Sequence, residues 1–300
     1  MIDLLATTPA LVVACALLGL LVGSFLNVVI LRLPPRLMHA WREQAREVLE
    51  PAPSPGSDAT PPPAIDGAAE RPPPDLVFTS SHCPRCRHRL APWENIPLLS
   101  FIALRGRCRH CGARISWQYP LVEALTAIAF AACAVAFGWG WPLLAALVLS
   151  GMLIAGSGID LHTQLLPDQI TLPLLWIGLL CAVPGWFVTP QQAILGAAFG
   201  YLVLWLVYWA FKLATGKEGL GYGDFKLLAA LGAFVGYAGI IPILLLSSIV
   251  GAVIGTAWLA ASGGGRATPI PFGPFLAIAG WIQFVHGDTL FTWYRGLLGV

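Results

Sequence analysis

Eight apolar stretches occupy most of this 300-residue chain, at roughly 9–31, 119–138, 141–159, 170–188, 193–213, 225–238, 240–261 and 270–286. A helix needs about 20 apolar residues to cross the hydrocarbon of a bilayer. The expected fold is therefore all-α and polytopic, with about eight transmembrane helices. Composition excludes a soluble globule: only 11% of the residues are charged, against about 25% in soluble domains. The sixth stretch is short for a span. The first has no basic region before it and no evident cleavage site after it. Gly23-Ser24-Phe25-Leu26-Asn27 runs on into apolar sequence, so this stretch reads as a retained helix and not as a signal peptide.

One long polar segment, 32–118, separates the first two helices and divides the chain into three parts: 1–31, 32–118 and 119–300. Within it, 42–75 carries Pro61-Pro62-Pro63 and Pro72-Pro73-Pro74 and reads as a flexible insertion. Residues 76–118 hold two Cys-x-x-Cys pairs, Cys83 with Cys86 and Cys108 with Cys111, with 21 residues between them. Two such knuckles supply four thiolates in a tetrahedron, which suits Zn²⁺, so 76–118 is expected to be a small zinc-knuckle domain. Thiols free to bind metal imply the reducing side of the membrane. The other cysteines, Cys15, Cys133 and Cys181, fall one per helix and read as small apolar core residues.

Charge distribution gives an independent orientation. Twelve of the 17 Lys and Arg residues lie between Arg32 and Arg114, including seven arginines in the knuckle domain. Lys212, Lys217, Lys226 and Arg266 fall in loops on the same side, and only Arg295 falls opposite. The positive-inside rule places the knuckle domain in the cytoplasm and both termini outside. With a formal net charge of only +2, no nucleic-acid partner is expected; the lipid bilayer is the partner that composition does imply.

Acidic residues at the edges of apolar stretches are the candidate functional groups, because ionisable groups at membrane depth are costly. Asp160 ends the third helix and Asp224 opens the sixth, at the same cytoplasmic rim. Two carboxylates meeting there could share a proton, one activating water and the other protonating a leaving group. Position alone leaves a catalytic and a structural pair equally open. Gly221 and Gly223, just before Asp224, would let backbone approach closely. Asp168, after Pro167, reads as a cap or turn residue. Glu123, a turn into the second helix, reads as one member of a pair with a cation, or as a group near a substrate amine. Asn27 reads as an interhelical hydrogen-bonding group. His162, beside Asp160, reads as a solvated loop residue that could tune it.

These segments together resemble a known family. Gly221-Tyr222-Gly223-Asp224 resembles the Gly-x-Gly-Asp motif of membrane aspartyl proteases. Gly23-Ser24-Phe25-Leu26-Asn27-Val28-Val29, the two cysteine pairs, Tyr119-Pro120-Leu121-Val122-Glu123, Asp160 through Asp168 and Pro269-Ile270-Pro271-Phe272-Gly273-Pro274 resemble the type IV prepilin peptidases within that group. The resemblance runs from about 19 to 280, outside the Pro-rich insertion. It implies a bifunctional inner-membrane enzyme that cuts the basic leader from type IV prepilins and type II secretion pseudopilins after a Gly. The same enzyme then N-methylates the new terminus with S-adenosylmethionine. It also implies that 119–300 is a seven-helix protease domain, that Asp160 and Asp224 are catalytic, and that Cys83, Cys86, Cys108 and Cys111 hold structural zinc. Lys226, within the same Gly-x-Gly-Asp segment, is taken with Gly221 and Gly223 as active-site support. No glycine-rich methyltransferase fingerprint is present, and no residue is assigned to the methyl donor.

Direct attack of water is the expected chemistry, because no Ser/His or Cys/His pairing accompanies the site. The field at a helix N-terminus favours an anion and that at a C-terminus disfavours one, so Asp224 is expected to be the base and Asp160 to hold the resting proton. The alternative from another class is a proton-coupled transporter with a zinc-stabilised lid, using the same two carboxylates as a relay. A non-enzymatic assembly factor of a secretion machine is a second alternative, and a related protease without methyl transfer a third.

Overall fold

The computed structural model describes residues 8–49, 73–77, 79–217, 219–262 and 271–298. Its helices are α1 (Thr8–Leu49), α2 (Leu99–Ala103), α3 (Gln118–Phe137), α4 (Trp141–Thr163), α5 (Asp168–Ala182), α6 (Pro190–Thr215), α7 (Tyr222–Val235), α8 (Ile240–Ser262) and α9 (Gly273–Leu298). Among the described residues there is no strand. A helix stands at each apolar stretch, and those of α1, α3, α4, α6 and α8 are long and apolar enough to cross a membrane. The protein is a multi-pass membrane protein.

Several boundaries differ from those expected. The first apolar stretch is only part of α1, which is 42 residues long, or about 60 Å. That is twice the ~30 Å of hydrocarbon, so the helix outruns a bilayer. Residues 42–49, expected to belong to a flexible insertion, are its last two turns. Most of the remainder of that insertion, 50–72, lies outside the described residues. α5 stops at Ala182, where Val183 to Val188 make turns through Pro184 and Gly185 (φ 70°). α9 continues past 286 to Leu298.

Lipid tails are as apolar as leucine, so helices in a bilayer associate through close packing and hydrogen bonds. Small residues show where this happens. A Cβ on Gly19 would lie 2.6 Å from the Ala127 Cα, and one on Gly23 2.7 Å from the Glu123 Cα. One turn further along the same face of α1, Asn27 Nδ2 donates to the Tyr119 carbonyl (3.2 Å). The α1–α3 seam is therefore built on Gly19, Gly23 and Asn27. α6 and α7 approach in the same way, with Gly196 against Gly232 and Gly200 against the Leu228 carbonyl.

α7 is the centre of the bundle. Phe225, Leu228, Leu231 and Phe234 are at most 1% exposed, packed among Leu149, Leu174, Tyr208, Ile240 and Leu276. Its 14 residues are too few to span hydrocarbon, but a helix sheathed in protein need not match lipid thickness. Outside the bundle, the chain returns from 73 onto α1. Arg32 Nη1 donates to the carbonyls of Asp75 (2.7 Å) and Thr79 (2.8 Å), and Arg36 pairs with the Asp75 carboxylate (3.2 Å). This strap seats the cysteine domain at the polar end of the α1–α3 pair.

Candidate active site

Asp160 lies in the last turn of α4, and Gln164 closes that helix in the left-handed conformation (φ 56°). Three residues later Pro167 starts α5, so the chain reverses tightly beside Asp160. The side chain is 6% exposed. Its Oδ2 accepts a hydrogen bond from the Gly273 N–H (3.1 Å), the first residue of α9. A Cβ at 273 would lie 2.6 Å from that oxygen, so glycine is the residue that fits.

Asp224 lies in the first turn of α7 and is 7% exposed. Its Oδ2 accepts from the Gly221 N–H (3.3 Å), reaching back to the residue that caps the helix. Gly221 has ordinary extended dihedrals (φ −85°, ψ 147°), and a Cβ there would make only ordinary contact, 3.7 Å from Asp224. What Gly221 offers is its amide. Gly223 has the steric requirement, since a Cβ would lie 2.6 Å from the Leu166 Cβ. Leu166 also reaches Gly273, 2.9 Å from a Cβ placed there. The α4–α5 turn thus fills the space between the α7 and α9 N-termini, and the two carboxyl groups are near enough to interact electrostatically.

Gly273 is the site residue that reasoning from residue types missed. Its Pro271-Phe272-Gly273-Pro274 setting was the available signal, because a proline just inside a helix start marks an N-terminus. Its position also changes the electrostatic argument. Asp160 sits at the C-terminus of α4 but receives an amide from the N-terminus of α9, so at Asp160 the two helix ends act in opposite senses, while at Asp224 the end of α7 favours an anion. The α9 amide offsets the α4 end, so helix ends alone do not assign the resting proton.

The surrounding polar residues have other partners. Lys226 Nζ donates to Asp168 Oδ1 (2.6 Å), tying the start of α7 to the start of α5. Asp168 is therefore an ion-pair residue, and the cap of α5 is Pro167. His162 lies in the last turn of α4, not in a loop, and its Nε2 bonds Gln118 Oε1 (2.9 Å) at the start of α3. Glu123 is 7% exposed and accepts from the Leu98 N–H (2.8 Å). Among the described residues no cation pairs with it. It fixes a left-handed turn at Leu98 (φ 58°) and so joins the cysteine domain to α3.

In that domain the two knuckles repeat one local plan. The amides of Cys83 and Cys108 donate to the carbonyls of His88 (2.9 Å) and Ala113 (2.8 Å). The residue after each second cysteine, Arg87 (φ 57°) or Gly112 (φ 69°), turns left-handed. The four sulfurs converge within 4.8 Å of one another, Cys83 Sγ lying 3.8 Å from Cys111 Sγ, and all four are free thiols. Backbone amides of Cys86 and Arg85 bring the Cys83 thiol down to about 6. The His88 amide acts in the same sense on Cys86, but desolvation and the Cys83, Cys111 and Cys108 thiols outweigh it and push Cys86 up to about 11. Thiols this close conflict when ionised, and a divalent cation among them removes the conflict. The cluster fits a metal ion.

Residues 17–137 match the bacterial peptidase A24 N-terminal domain, and 147–256 match the type IV leader peptidase family. The chain is 53% identical over 287 residues to a prepilin leader peptidase/N-methyltransferase of Xanthomonas campestris, covering 96% of this chain and 95% of that protein. It is 51% identical to the protein of the same description in Aeromonas hydrophila (93% and 91% covered). It is 48% identical to that of Pseudomonas aeruginosa (100% and 99% covered). No solved structure matches the chain. Full-length relatives at this identity overturn the transporter and assembly-factor alternatives. The chain belongs to the type IV leader peptidase family, and its two activities are peptide hydrolysis and N-methyl transfer.

Proposed function

We propose that Asp160 and Asp224 form the catalytic pair of an inner-membrane enzyme that removes the basic leader of type IV prepilins and pseudopilins after a Gly. Freed amines are then methylated, with S-adenosylmethionine supplying the methyl group. The carrying observation is the convergence of two nearly buried carboxylates, each held by one backbone amide, at one rim of the bundle. One carboxylate takes a proton from water as the water oxygen bonds to the scissile carbonyl carbon. The carbon–nitrogen bond then breaks, and the other carboxyl group passes its proton to the leaving amine. The two groups titrate as a pair. Gly221 and Gly273 orient them through their amides, Gly223 leaves room for the α4–α5 turn, and the Lys226–Asp168 pair holds the outer ends of α5 and α7 together.

In this reading the chain crosses the membrane at each of its eight apolar helices, the short α5 and α7 doing so within the surrounding protein, with the cysteine domain and the carboxylates cytoplasmic and both termini periplasmic. The lysine and arginine distribution supports it. Cys83, Cys86, Cys108 and Cys111 hold structural Zn²⁺, since four thiolates leave no open position for a reacting water. The test is cleavage, in detergent, of a peptide with a basic leader, a Gly and an apolar helix, read by mass with and without S-adenosylmethionine. Wild type yields the cut and methylated product. Full cleavage by Asp160→Asn or Asp224→Asn removes that residue from the mechanism.

A further inference from the structure

Beside the four sulfurs lies a second group of metal-ligating atoms. His88 follows the first knuckle by two residues, His110 stands inside the second, and Glu94 begins no knuckle but lies between them on the short Pro92–Asn95 turn. Their ligand atoms lie within 4.8 Å of one another. The two imidazole rings are tilted by 34° to one another, with centroids 3.4 Å apart. The Glu94 side chain is only 5% exposed.

The geometry of Glu94 is what points to a ligand. Its Oε2 accepts from the Ala91 N–H (3.0 Å), which fixes the carboxylate in place. Its Oε1 faces His110 Nε2 at 3.9 Å. That is too long for a hydrogen bond, and two ligands each about 2 Å from a tetrahedral ion stand roughly 3.3 Å apart, so the pair need close by only about half an ångström to bind one. Glu94 is also the only carboxylate between Asp75 and Glu123, in a stretch carrying seven arginines. Among the described residues none of those arginines pairs with it. A nearly buried carboxylate that faces the His110 imidazole, with His88 within 4.8 Å, and that none of the arginines in its stretch neutralises, is arranged for a metal.

We propose that His88, Glu94 and His110 form a second divalent-metal site, distinct from the four cysteines, that takes Zn²⁺ through two imidazoles and one carboxylate. Three protein ligands leave a coordination position for water or an added ligand, unlike the closed sulfur site. The hydrogen bond from Ala91 is the outer support that ligating carboxylates characteristically have.

The test titrates Zn²⁺ and Co²⁺ into metal-stripped full-length protein in detergent, with bound metal counted per chain. Two equivalents are expected. With Co²⁺, one should bring thiolate-to-metal charge transfer and the other only ligand-field absorption. His88→Ala/His110→Ala should keep the charge-transfer band and lose the second equivalent. Glu94→Gln, which still accepts from Ala91, should weaken the second equivalent at least tenfold. Saturation of wild type at one equivalent overturns the proposal, as does a second equivalent that both variants retain unchanged. Because the wild-type count suffices to refute it, a variant that fails to fold does not shelter the proposal.

Discussion

The cysteine domain gathers its four sulfurs from residues 83–111, each pair placed by a knuckle whose hydrogen bonds close within ten residues. The carboxylate site is assembled the other way. Asp160 and the amide that holds it are 113 positions apart, and the geometry exists only when α4, α7 and α9 are packed. A locally specified site stands or falls with its metal. A site specified by packing stands or falls with backbone approach, at points marked by small residues. The two should therefore fail separately.

The largest expected effect separates them energetically. Structural zinc in small modules is worth roughly 10–16 kcal/mol of folding free energy. Cys83→Ser/Cys108→Ser, or metal removal by a chelator, should open residues 79–117 to hydrogen exchange. Amides of α7 between Asp224 and Phe234 should stay protected, because they are packed among α4, α5, α6 and α9 and not against the sulfurs. Simultaneous loss of protection in both regions would mean that they fold as one unit.

The next effect is on chemistry without folding. Asp160→Asn and Asp224→Asn should each lower cleavage by about 10²- to 10⁴-fold, the usual contribution of a positioned acid or base. Metal content and hydrogen exchange in 79–117 should not change. A variant that lost metal would show that the carboxylates serve the fold of the cysteine domain.

Gly273→Ala is a sharper probe, since it adds one methyl and removes no functional group. That methyl would lie 2.6 Å from Asp160 Oδ2, so the carboxylate or the start of α9 must move by most of an ångström. A misplacement of that order can cost about 10²-fold. Gly221→Ala has ordinary contacts and dihedrals, so it should retain most cleavage. Equal loss in both variants would mean that the motif is required for something other than the spacing seen here.

What could be read from residues follows the same division. The knuckles were legible because a metal ligand set is a spacing rule. Asp160 and Asp224 were legible as carboxylates at the ends of apolar stretches, although their approach was not. Gly273 was not legible as a partner, because an amide donor is common to nearly every residue and only packing reveals which one is used. Glu123 pointed to a cation by charge, yet its partner is the backbone of Leu98. The length of α1 was hidden because its second half is polar and contains Pro34 and Pro35, features that normally argue for a helix end. The tie from Arg32 and Arg36 to the returning chain at 75–79 lies along that polar half, where hydropathy gives no signal.

The smallest expected effect tests whether charge at the rim matters at all. Lys226 and Asp168 form a short pair, 2.6 Å, but their side chains are 31% and 51% exposed. Water and salt screen such a pair, and exposed pairs contribute at most about 1 kcal/mol. Lys226→Ala should therefore lower cleavage no more than about fivefold, and Asp168→Asn should do the same. The double variant should be no worse than either single one, because each removes the same interaction. Raising the ionic strength should lower wild-type activity slightly and leave the variants unaffected. A loss of a hundredfold or more in Lys226→Ala alone, with Asp168→Asn mild, would give the lysine a direct part in substrate binding or chemistry. Electrostatics at the rim would then join backbone packing in defining the site, and the contrast with the cysteine domain would no longer be one of assembly alone.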